Sequence, residues 1–276
     1  MTTFTEPEIY TEPMTSSPPT PYRKVSPFSR MLKMMQFEAS MVFRQRNTLL
    51  ATVLAPLFVL AFPILTRPDS DSAWIQLVAP MTVLVLVFSV YITAATVLAA
   101  RRENQILKRM RTSELTSVEL VASMTLPLIL LGTIQVAIVQ LGVLAMGGPL
   151  PANVGLFALA TLGSAVLSVT AGVAVGAISP NSERVQYTAM PLLLIAAIGS
   201  NLIVSPASDT VRSYLLFAPF TGMVDLVANA FGFPEDALAE PPLAIGSVGM
   251  DLAATGFWVV VMLFLATIYW RWEPRR

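Results

Sequence analysis

Six apolar runs frame this sequence, at residues 48–65, 74–98, 120–146, 153–179, 187–205 and 250–270. Each is long enough to span a membrane, because about 20 residues rising 1.5 Å each cross a 30 Å hydrocarbon core. Breakers close several of them: Arg67-Pro68-Asp69 after the first, Gly147-Gly148-Pro149 after the third and Ser179-Pro180-Asn181 after the fourth. Pro56, Pro63, Pro127 and Pro191 fall inside runs, where neighbouring helices satisfy the freed backbone groups. The pattern predicts an all-α membrane protein of six transmembrane helices.

The polar positions organise what lies between. Residues 1–27 are rich in Thr, Ser and Pro and cannot bury enough apolar area to offset their ordering entropy, so they read as a disordered tail. Residues 28–276 form the membrane domain. In residues 28–47, Phe28, Met31, Leu32, Met35, Ala39, Val42 and Phe43 share one helical stripe, with Arg30, Lys33, Ser40 and Arg44 away from it. That pattern predicts an amphipathic helix lying in the headgroup plane. Residues 206–232 include SYLLFAPFTGMVDLVANAFG, too interrupted for a seventh span and too apolar for a free loop. Irregular backbone at membrane depth needs protein cover, so this stretch is expected to tuck against the bundle.

Charge gives an orientation. With the N-terminus placed inside, fifteen of the seventeen Lys and Arg fall on the cytoplasmic side, leaving only Arg67 and Arg212 opposite. Asp69, Asp71, Asp209, Asp225, Glu235, Asp236, Glu240 and Asp251 collect on that opposite face. Lys and Arg mark cytoplasmic loops, so both termini are expected in the cytoplasm, in a multi-pass protein of the cell (plasma) membrane.

Composition narrows the chemistry. Only 12% of the 276 residues are charged and 55% are hydrophobic, against roughly 25% charge in a soluble domain. Without Cys or His, thiolate chemistry, the commonest metal ligand and the commonest general base are all missing. No ionisable residue falls inside a predicted span, Asp251 being at the edge of the last. Buried charges mark ion pathways, so a proton- or sodium-coupled carrier is not expected, and loop acids such as Asp225 are expected to do surface chemistry only. The milder polar residues Gln135, Gln140 and Asn201 offer a substrate path or interhelical hydrogen bonds. No G-x-x-x-x-G-K-[ST] stretch occurs, so the chain is not expected to bind nucleotide phosphates. No catalytic residue, metal or cofactor is expected in this chain, and nucleic acid is not an expected partner.

One connector stands apart. Residues 100–118 place Arg101, Arg102, Lys108, Arg109 and Arg111 within eleven positions, around an apolar patch of Ile106, Leu107 and Met110. A short helix with an apolar centre and a basic rim suits a cleft in a soluble partner, or anionic headgroups of the bilayer.

From about residue 28 to the end, the chain resembles the membrane subunits of type 2 ATP-binding-cassette exporters, the ABC-2 type permeases that include drug- and antibiotic-resistance efflux components. Their coupling helix, between the second and third spans, carries a Glu followed by a pattern like L-K-R-L-R-x-[ST]-P. Glu103 matches the acidic position and ILKRMRTSEL, from Ile106 to Leu115, matches the rest. Glu114 stands where Pro is common, and Asn104-Gln105 replace a frequent Glu-x-Gly. Residues 213–232 are similar to the family's extracellular re-entrant helix pair between the fifth and sixth spans, with Pro219 and Gly222 at its turn.

The resemblance implies a permease that pairs with a second copy or a paralogue and moves a hydrophobic or amphiphilic substrate outward. Separate cytosolic ATPase subunits, holding ATP and Mg, would drive it. Arg101, Arg102, Glu103 and Ile106, with Leu107, Lys108, Arg109, Met110 and Arg111, would couple the two. The competing expectation is a membrane-embedded structural or sensor subunit that transports nothing.

Overall fold

A computed structural model describes residues 26, 29, 32–37, 40, 46–106, 117–205, 209–232 and 247–270. The tail at 1–25, Leu107 to Thr116, residues 233–246 and the six C-terminal residues lie outside that set. Of the expected interfacial stretch, residues 32–37 are helical.

Every regular element among the described residues is helical. Helix α1 runs Arg46–Thr66, α2 Asp71–Glu103, α3 Ser117–Ala145 and α4 Val154–Ile178. Helices α5 and α6 follow at Val185–Ile203 and Asp209–Leu215, then α7 at Thr221–Ala230 and α8 at Ser247–Tyr269. Five of these, α2, α3, α4, α5 and α8, are long and apolar enough to cross a membrane among the described residues. In α1, the stretch Val53–Thr66 is a shorter apolar helix.

Local chemistry explains the ends. Helix α1 stops where Arg67 turns left-handed (φ 47°), ahead of Pro68, which cannot continue the ladder. Ser70 caps α2 by accepting from Ala73 N at 3.4 Å, and Asp71 in its first turn suits the positive end of the dipole. Asn153 caps α4 through Oδ1, which accepts from Leu156 N at 3.0 Å.

Two features of α2 differ from the sequence expectation. It contains one π-helical turn, Val87–Tyr91, and it continues to Glu103, five residues beyond the predicted end. Thirty-three residues reach about 50 Å, well beyond the hydrocarbon core. Arg101, Arg102 and Glu103 therefore belong to the span's own helix, because nothing in Ala99-Ala100-Arg101 breaks the ladder.

Helix α4 is the centre of the bundle, touching α2, α3, α5, α7 and α8. Small residues permit this. A Cβ on Gly172 would lie 2.6 Å from the Tyr91 carbonyl oxygen, and one on Gly176 would lie 2.8 Å from that of Ala95. Such small-residue stripes let spans approach where lipid supplies no hydrophobic drive. Helix α1 packs on α2 and α3, with Gly142 facing Leu60.

The two ends of the bundle are chemically distinct. The connector end carries Arg101, Arg102, Glu103 and the Ser179–Arg184 link between α4 and α5. The far end carries Asp69, Asp71, the start of α4 and the short helices α6 and α7. Helix α7 is almost wholly buried among α2, α4, α5 and α8. Its last residue meets the start of α4, where Asn153 N donates to Ala230 O at 2.8 Å. Its first turn lies deeper, with Met223 Sδ against Gly163, about 15 Å further along α4 at 1.5 Å per residue.

Candidate functional site

At the connector end, Arg102 is buried and reaches from α2 to the last turn of α4. Its guanidinium donates to Ala177 O at 2.9 Å, to Ser179 O and to Pro180 O at 3.4 Å. The final carbonyls of a helix have no partner within it and form the negative pole of its dipole, so a cation is well placed there. The next residue, Glu103, accepts from Ser182 Oγ at 2.7 Å and Ser182 N at 3.2 Å. Asn181 Oδ1 accepts from Arg184 N at 3.0 Å and so shapes the same link. Consecutive residues of α2 thus clamp the α4–α5 link, one from the buried side and one from the exposed side.

Of the expected coupling residues, Arg101 is half-buried, and Glu103 and Ile106 are exposed. Helix α2 gives way to a turn at Asn104, and Gln105 adopts φ 57°. Leu107, Lys108, Arg109, Met110 and Arg111 lie outside the described residues.

The three polar residues singled out for a substrate path are not brought together. Gln135 is buried, and its Oε1 accepts from Ser89 Oγ of the π turn at 2.5 Å. Gln140 is buried and donates to Pro149 O at 3.2 Å. Asn201 is exposed and donates to Ala197 O of its own helix at 2.8 Å. For Gln135 the interhelical bond is what the structure contains, and it braces α3 against the π turn.

A cavity of about 590 Å³ opens between α3, α4 and α8. It lies in their connector-end half, lined by Thr125, Thr170 and Thr267 together with Val173, Leu263 and Trp270. The threonine hydroxyls are turned onto their own helices, with donor distances of 2.9 Å to Val121 O, 3.0 Å to Val166 O and 2.8 Å to Phe264 O. The lining is therefore largely methyl and aromatic surface, and it carries no charge.

The far end holds charges that the sequence reading put at the surface or at a span edge. Asp225, on α7, is buried and accepts from Arg212 Nη2 of α6 at 2.7 Å. Asn229 Nδ2 lies 3.4 Å from the other carboxylate oxygen of Asp225. Asp251, in the second turn of α8, is completely buried beside them. Surface chemistry at Asp225 is excluded by this burial, while Asp251 keeps its place near the start of the last long helix. The reason is α7, which carries its one acid into the bundle. A usable signal was present in the sequence: Arg212 and Asp225 sit in an otherwise apolar segment that has to be covered.

A family model for ABC-2 family transporter protein matches residues 29–268. The chain belongs to the ABC-2 transporter family. No curated protein matches it. Family membership makes the chain a membrane component of a transporter, one that is not itself the ATPase, and implies pairing with ABC ATPase subunits in a lipid bilayer.

Proposed function

We propose that this ABC-2 protein is the permease subunit of an ATP-driven exporter of hydrophobic or amphiphilic compounds in the plasma membrane. It works beside a second permease, a copy of itself or a paralogue. In this reading α1 completes six spans, both termini lie in the cytoplasm and the connector end faces the ATPases. Helices α6 and α7 form the extracellular re-entrant pair.

The observation that carries the proposal is the clamp of Arg102 and Glu103 on the α4–α5 link. A force applied to residues 106–111 passes into the end of α2, and through the clamp into α4 and α5 together. Three spans then move as one body, which is what alternating access by rigid-body shift requires. The uncharged lining between α3, α4 and α8 supports an apolar or amphiphilic substrate, because pockets are matched to the polarity of what they hold.

The test is affinity purification of the full chain from its own membranes in mild detergent. A stoichiometric nucleotide-binding subunit, lost with Arg109→Glu and Arg111→Glu while membrane insertion persists, is the expected result. Recovery of the chain without such a partner, under conditions that preserve other transporter complexes, overturns it.

A further inference from the structure

The buried charges at the far end do not balance. Arg212 supplies one positive charge, while Asp225 and Asp251 supply two carboxyl groups. The guanidinium is already bonded to Asp225 Oδ1 at 2.7 Å. Asp251 interacts with both Asp225 and Arg212, has no exposed surface, and receives no hydrogen-bond donor at either carboxyl oxygen. Among the described residues, α8 packs mainly on α4 and α7. Helix α4 contains no titratable residue and α7 contains only Asp225, so among the described residues Arg212 of α6 completes the charged set.

Two carboxylates facing one another in a low-dielectric site cannot both remain ionised cheaply, and such pairs share a proton. A proton on Asp251 supplies the missing donor: its O–H bonds to the Asp225 carboxylate, which Arg212 already neutralises. A metal ion fits less well. The guanidinium occupies the negative site, and no group of three or more acidic or other metal-ligating side chains forms among the described residues.

We propose that Asp225 and Asp251 form a one-proton binding site that seats α7 against α8. The proton comes from and returns to the solution at the far end, with no redox step. Its release leaves adjacent anions on two helices whose backbones almost touch there, since a Cβ on Gly222 would lie 3.0 Å from the Asp251 carbonyl oxygen. The repulsion acts across this contact, and separating α7 from α8 relieves it. Acid on the far side tightens the contact of α7 with α8, and alkali loosens it.

The experiment uses the full chain in lipid nanodiscs, with infrared spectra recorded across pH and the aspartate carboxyl carbons either unlabelled or labelled with carbon-13. One protonated carboxyl band per chain, shifted by the label, is expected at neutral pH and lost at alkaline pH. Amide exchange across residues 221–230, corrected for intrinsic rate, rises in step with that loss. Asp251→Asn removes the band, whereas Asp69→Asn at an exposed position leaves it. Absence of a label-sensitive protonated carboxyl at neutral pH overturns the proposal. So does a spectrum of ionised pairs that responds to sodium replacement, which assigns the site to a cation. The labelled natural sequence decides the matter even if Asp251→Asn does not insert. None of these readouts needs ATP or a partner, so they stand or fall apart from the exporter reading.

Discussion

Arg102 and Arg212 are both buried, one near each end of the bundle, and they are held by opposite means. Arg102 is caged by neutral carbonyls at the end of α4. Arg212 is held by a formal anion, Asp225, with Asp251 behind it. The difference teaches what each arrangement risks. A carbonyl cage distributes its compensation over several partial charges, so removing the cation leaves neutral acceptors rather than a bare charge. An ion pair in the interior concentrates it, so removing one member leaves a bare buried charge.

Arg212→Met is therefore expected to be the most damaging single change, costing about 3–5 kcal/mol because it leaves the buried Asp225 carboxylate without its cation. Denaturant unfolding in detergent, followed by helical circular dichroism, measures it. The double change Arg212→Met with Asp225→Asn should recover most of the loss, since it removes the orphaned charge as well. A double variant no better than the single one would show that Arg212 acts through packing.

The same substitution at the other arginine should hurt less. Arg102→Met removes charge-assisted bonds to the neutral carbonyls of Ala177, Ser179 and Pro180, for a loss of about 2–3 kcal/mol. A cost equal to that of Arg212→Met in the same unfolding assay would erase the distinction between cage and ion pair. Arg102→Lys should keep part of the stability, because an ammonium still meets helix-end carbonyls yet lacks the planar fork that reaches three of them.

Much of the frame could be read from the sequence because a membrane imposes it. The runs at 153–179 and 187–205 sit within two residues of α4 and α5, since only a helix of that length satisfies its backbone in lipid. Arg102 was harder. Its position in a basic cluster implied a solvent-facing docking residue, and one turn of extra helix turns it inward instead. Asp225 was harder still: the apolar segment around it signals cover, but its exact burial depends on where a ten-residue helix inserts, which spacing along the chain does not give. The π turn against which Gln135 is braced had no visible mark in the sequence Val87-Phe88-Ser89-Val90-Tyr91.

A second pair of residues sharpens the contrast between the ends. Gln105 and Phe220 both adopt the left-handed conformation, at φ 57° and 73°, which for a residue with a side chain costs about 1–2 kcal/mol. Phe220 is buried at the start of α7. Replacing it with Gly relieves the strain but opens a cavity among tightly packed helices. Large-to-small changes of this kind cost about 3–5 kcal/mol in soluble cores. Lipid or detergent is as apolar as the core, so part of that transfer contribution is lost here. The net loss expected for Phe220→Gly is about 2 kcal/mol, read as a lowered unfolding midpoint.

Gln105→Gly should have the smallest effect and the opposite sign. Gln105 is exposed, so its side chain has little packing to lose, and its backbone already occupies the position where helices commonly end on glycine. Its amide accordingly donates to Arg102 O at 3.1 Å, closing the end of α2. Glycine keeps that bond and removes the clash of Cβ with the backbone, though it also loosens the unfolded chain, which takes back part of the gain. The expected net stabilisation is about 1 kcal/mol or less, seen as a small rise in the unfolding midpoint. A fall instead would mean that the Gln105 side chain holds this end of α2 through contacts of its own, and that the connector end is fixed by more than the carbonyl cage around Arg102.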